Sequence, residues 1–153
     1  MSAADPILLF VGMRAAKVRN AGILLGIGLG GLLEGIVLHP IADSWFQLAL
    51  WLISLTGVVA LWSAVRGPGP LPSGSALAGY LFIGWGAFNL AEGLVNHPIL
   101  GVPLAQVPMH EWGFLLVGGV GFVVLGLLLR GLPAAPARER RSGSDRRSGS
   151  MVR

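Results

Sequence analysis

The sequence predicts an all-α membrane protein: a bundle of four transmembrane helices made of two helical hairpins that run in the same direction through the bilayer. Two observations predict it. Four apolar stretches are each close to the roughly 20 residues that a helix needs to cross the hydrocarbon layer, and the first and third end in the same Glu-Gly-x-x-x-His-Pro-Ile signature. Composition agrees, since 54% of the 153 residues are apolar, 12% are charged and the mean hydropathy is +0.73. A soluble domain does not have that balance.

Residues 1–20 form a cytoplasmic or interfacial segment. Its apolar part, Ile7–Met13, is short and has no basic region before it, so it reads as an extension of the first helix and not as a cleaved signal. Residues 21–66 make the first hairpin, with helices over Ala21–Leu38 and Phe46–Val65. A cytoplasmic loop over 67–75, GPGPLPSGS among its residues, reads as a flexible turn. Residues 76–130 make the second hairpin, with helices over Ala76–Asn96 and Trp112–Leu129. From 131 to 153 the composition changes to Pro, Ala, Arg, Ser and Gly, and such a basic tail cannot bury a core.

The cations set the orientation. Arg14, Lys17 and Arg19 precede the first helix, Arg66 follows the second, and Arg130 and all later arginines follow the fourth, so all eleven Lys and Arg lie on one side. By the positive-inside rule both termini are cytoplasmic, as in a bacterial inner membrane. Arg14, Lys17, Arg19, Arg66 and Arg130 then face the anionic lipid headgroups, and the basic balance is a topology signal, with no call for nucleic acid. Trp45 and Trp112 open the second and fourth helices at the outer interface, and Trp62 lies near the inner one. With no cysteine, disulfides, thiolate metal sites and thiol catalysis are excluded.

Shifting the chain on itself by 58 positions lays residues 26–41 on 84–99 with nine of sixteen identical, including Glu34/Glu92, Gly35/Gly93, His39/His97 and Pro40/Pro98. Two helices separate the copies, so both have the same direction and a pseudo-twofold axis runs along the membrane normal. Proline disfavours helix in the residue before it, which puts His39 and His97 at the outer ends of their helices. Each Glu is five residues earlier, about 7.5 Å deeper, inside the hydrocarbon. Gly22, Gly26, Gly30 and Glu34 recur at intervals of four and share one stripe, which permits close helix approach and points the acid into the interface.

An acid inside the membrane is a functional candidate by default, and no intramembrane Lys or Arg pairs with these two. Three arrangements satisfy them: Glu34 and Glu92 share a proton; they bond neutral donors such as Asn89, Ser54 or Thr56; or they coordinate a cation. Carboxylate and imidazole together suit a divalent transition metal, held by Glu34, His39, Glu92 and His97, with His110, Glu111 and Asp43 as further ligands from the outer loops. The alternative cofactor is haem b between His39 and His97. No phosphate loop, Gly-x-Ser-x-Gly or HExxH occurs, so the chain reads as non-enzymatic, with catalysis open only at the Glu/His cluster.

The duplicated LLEGIVLHPI and LAEGLVNHPIL on four such helices resemble the bacterial membrane family DUF2243, over roughly Ala21–Arg130. The resemblance implies an uncharacterised inner-membrane protein. Members of that family typically carry a His-His pair in each outer loop, whereas this chain has Trp45 and Phe46, then Pro103 and Leu104, at those places. The resemblance therefore carries over to Glu34, His39, Glu92 and His97 but not to the loop ligands. Three functions follow as expectations: a metal- or cofactor-binding protein accessory to a respiratory complex or to metal handling; a structural subunit with a membrane-protein partner or a second copy of itself; and a proton or small-solute pathway.

Overall fold

The structure is a computed structural model that describes residues 6–37, 44–95 and 109–132; among these residues there are helices and turns and no strand. Helix α1 covers Pro6–Val37, α2 Ser44–Val65 and α3 Gly74–Leu94. A fourth helix over 109–131 is composite: α4, Met109–Gly113, passes into π-helical turns over Phe114–Gly121 and then into α5, Phe122–Gly131. The glycines at 118, 119 and 121 lie in the π-helical part, where weak helix formers leave the backbone free to take the wider turn.

Length separates α1 from the others. Its 32 residues span about 48 Å, well beyond a hydrocarbon layer of about 30 Å. The extra turns lie at the basic end, where the helix continues through Arg14 back to Pro6. The Val11–Gly35 part of α1 and all of α2 are long and apolar enough to cross a membrane, and Leu115–Gly131 is an apolar but shorter run.

Glycines decide how the helices pack. On α1, Gly22 lies against Leu77 and Tyr80, Gly26 against the backbone of Leu81 and Trp85, Gly30 against the Trp85 ring and Gly31 against Phe88. Gly84 returns the contact on the Ile23 carbonyl. Contact positions thus climb together along α1 and α3. On the other side of α1, Gly28 meets Leu50 and Ser54 of α2, and Gly57 meets Ala21 and Leu25. On the far side of α3, Gly86 meets Gly119 and Val123, and Gly126 meets Gly79 and Ile83. The lateral order is therefore α2, α1, α3, fourth helix, with no packed face between the two outer members among the described residues.

The outer members leave wide apolar surfaces. Trp51, Leu55 and Val59 on α2 and Val117 and Leu128 on the fourth helix are all more than half exposed. A surface of this kind is tolerated where lipid is the solvent.

At the basic end, α1 is fastened to α2 by a single side chain. Arg14 is buried, and its Nε donates to the Ala64 carbonyl at 2.8 Å and its Nη2 to the Val65 carbonyl at 2.9 Å. These carbonyls lie in the last turn of α2, where a cation also meets the negative end of the helix dipole, and that of Ala64 accepts from the Gly67 amide as well. Arg14 thus departs from the headgroup role expected of it. A run of cations in sequence does not say which one turns inward. Lys17, Arg19, Arg66 and Arg130 are exposed, and the Arg66 guanidinium rests 4.5 Å from the centroid of the Trp62 ring. Beyond the turn, Ser73 caps α3 by accepting from the Ala76 amide at 3.1 Å.

Two stability outcomes follow. Gly26→Ala places a methyl on the Leu81 carbonyl, a backbone atom that cannot swing aside, and should destabilise the protein in detergent by about 1–3 kcal/mol. Gly12→Ala meets nothing and should be neutral or gain up to about 1 kcal/mol of helix propensity. Arg14→Gln, which gives up charge-assisted bonds to two terminal carbonyls, should lose about 1.5–3 kcal/mol, while Arg19→Gln, an exposed change, stays within about 0.5 kcal/mol. Denaturant unfolding of the four purified variants reads all of these values.

Candidate membrane-embedded acidic site

The α1–α3 seam positions the site. Gly22, Gly26 and Gly30 hold the two helices close, and the next residue on that stripe, Glu34, arrives beside Glu92. Both acids are half-buried, and their carboxyl groups come within hydrogen-bonding reach of each other. Two ionised carboxylates are acceptors only, so this contact needs a proton or a cation between them.

The donor side is bare. Glu34 Oε2 is buried with no hydrogen-bond partner among the described residues, and so is Asn89 Oδ1. The hydroxyls expected as neutral donors are engaged elsewhere: Ser54 Oγ donates to the Leu50 carbonyl at 2.9 Å and Thr56 Oγ1 to the Leu52 carbonyl at 2.8 Å. Each bonds one turn back on its own helix, the usual local escape for Ser and Thr in an apolar helix. Of the three arrangements expected for the acids, the one through Ser54 or Thr56 is therefore not the one adopted.

Aromatic rings flank the site on the α3 side. Trp85 and Phe122 meet edge to face with centroids 5.0 Å apart, Phe82 and Phe122 at 5.4 Å, and Phe46 lies tilted to Phe88 at 6.4 Å. The two halves differ here: the position of Asn89 on α3 is held on α1 by Gly31, where Leu50 and Phe88 fill the space. The sequence named Asn89 as one of the neutral donors open to the acids.

His39, His97 and Asp43 are outside the described residues, as are the side chains of His110 and Glu111, whose backbone belongs to α4. Among the described residues no group of three or more His, Cys, Asp and Glu side chains is arranged to hold a metal ion.

A Cys-free chain makes the meeting of the acids directly testable. With Glu34→Cys and Glu92→Cys together, a short bifunctional thiol reagent should join fragments that trypsin otherwise separates at Arg66; the Glu34→Cys, Thr56→Cys pair should stay unjoined.

A family model described as "Predicted membrane protein (DUF2243)" matches residues 40–131, more than half of the chain. The match takes in Glu92 and His97 and begins after Glu34 and His39. No curated protein and no solved structure matches the chain.

Proposed function

The chain belongs to the DUF2243 family of predicted membrane proteins, and we propose that it is a non-enzymatic cation-binding protein of the bacterial inner membrane, with its site at the outer end of the α1–α3 seam. The ligands are Glu34 and Glu92, joined by His39 and His97 from the helix ends. One observation carries the reading: two half-buried carboxyl groups meet, and Glu34 Oε2 is buried without a partner among the described residues. A divalent cation neutralises the pair and fills that place, and with imidazole nearby a transition metal is the fitting class.

The reading also takes the chain as four membrane crossings in two same-direction repeats, with both termini in the cytoplasm. Supporting this, the α1–α3 contacts are reciprocal at an offset of 58 residues, Gly26 on Leu81 answering Gly84 on Ile23. The outer helices follow a second offset of 69: Gly57 faces Ala21 and Leu25, and Gly126 faces their counterparts Gly79 and Ile83. Gly28 faces Leu50 and Ser54, and Gly86 faces Gly119 and Val123. An axis between α1 and α3 relates these contacts and brings Glu34 opposite Glu92.

A second reading, a structural subunit of a larger membrane complex, draws on the exposed apolar faces of α2 and the fourth helix. Metal analysis of protein purified in detergent separates the two. Wild type should carry a near-stoichiometric transition metal that falls by at least about tenfold in Glu34→Gln/Glu92→Gln and in His39→Ala/His97→Ala. Equal and negligible metal in all three, with a stoichiometric partner protein, gives the structural reading the case.

A further inference from the structure

The seam contains one more unanswered group. Asn89 is 5% exposed, and its Oδ1 is buried without a partner among the described residues. An amide oxygen in that state inside a membrane bundle is expensive, and each such group calls for a bound water, an ion or a ligand. Its neighbours on α3 fix its place. Trp85 and Phe88, four residues and one residue before it, lie on Gly30 and Gly31 of α1, and Glu92, one turn outward, meets Glu34. The residue therefore stands beside the seam directly inward of the carboxyl pair.

The fourth helix supplies nothing to satisfy it. Between Trp112 and Arg130 its sequence has no polar side chain, and the residues packed against α3 there include Leu115, Gly119, Phe122, Val123 and Gly126. Ser54, the buried hydroxyl of α2, lies against Gly28 further inward and bonds its own helix. The buried unmatched side-chain atoms among the described residues are thus two oxygens, Glu34 Oε2 and Asn89 Oδ1.

We propose that Asn89 is a third oxygen ligand of the Glu34–Glu92 pair, and that this inner set by itself admits a hard divalent cation of the Mn2+, Mg2+ or Ca2+ class, the histidines being what the transition metal of the wider reading needs in addition. The proposal rests on the cation-binding reading above and narrows its ligand. Oxygen-only ligands favour hard cations over the nitrogen-seeking ones that imidazole selects. Two carboxylates and one divalent ion sum to zero charge, the state that a low-dielectric surrounding penalises least.

Mn2+ serves as the probe, titrated into the full-length protein in detergent and followed by the loss of the free-ion EPR signal. Wild type should bind one Mn2+. Asn89→Leu, which keeps the volume but removes the oxygen, should weaken binding by about tenfold or more, Asn89→Asp should retain it, and His39→Ala/His97→Ala should shift it by less than about threefold. Thermal melts of each variant identify any that fails to fold, and Asn89→Ala repeats the oxygen deletion with a smaller side chain. Unchanged Mn2+ affinity in folded Asn89→Leu and Asn89→Ala overturns the role of Asn89 and leaves the carboxyl pair standing. Binding of Zn2+ but not Mn2+, abolished with the histidines, overturns the oxygen site and keeps the wider reading. Binding of neither metal by wild type overturns both.

Discussion

The rest of the structure depends on the close approach of α1 and α3. Lipid is as apolar as leucine, so two membrane helices gain little from hiding side chains from it and must gain from van der Waals contact and polar pairing instead. Glycine supplies the contact. At Gly26 and Gly84 each helix sets its backbone on a carbonyl of the other, and no residue with a Cβ fits there without moving backbone. Once the backbones are that near, the acids, each eight residues or just over two turns outward, meet as well. The seam thus makes the electrostatic problem at Glu34 and Glu92 as well as the site that answers it.

The outer helices play a different part. Each packs on one inner helix through its own glycines, Gly57 on α2 and Gly126 on α5, and turns its other faces outward. The offset between the outer helices exceeds that between the inner pair by eleven residues, which fall between α3 and the fourth helix. Within the proposed duplication, the second half has gained a longer outer connection, an Asn in place of Gly31, and aromatic rings at Phe82, Trp85 and Phe122. The halves have kept a common scaffold and drawn apart in their side chains near the acids.

The sequence disclosed some of this and hid the rest, for physical reasons. The stripe of Gly22, Gly26, Gly30 and Glu34 is visible because its period is that of one helix face, and the structure lays that stripe on α3. The counterpart relation between α2 and the fourth helix was invisible, since Gly57 and Gly126 are almost the only identity between them. Apolar residues facing lipid exchange freely so long as the glycine notch stays. The turn of Arg14 toward α2 was equally hidden, because a basic cluster looks the same whether its members face headgroups or cap a helix. Ser54 and Thr56 looked like donors for the acids by proximity in the helix pattern, but a hydroxyl in an apolar helix finds its own carbonyl first. The π-helical turns over Phe114–Gly121 follow from backbone freedom at glycines, which hydropathy does not register.

The account stands on α1 and α3 being side by side with the same direction. Spin labels on the exposed positions Asn20, Leu33 and Ala91 and on the half-exposed Ala78 measure this by double electron–electron resonance in lipid. The account predicts similar, short separations for the pairs 20/78 and 33/91, and a longer one for 20/91, set apart by thirteen residues or about 20 Å of helical rise. A 20/91 separation shorter than both of the others would place the helices in opposite directions and contradict it.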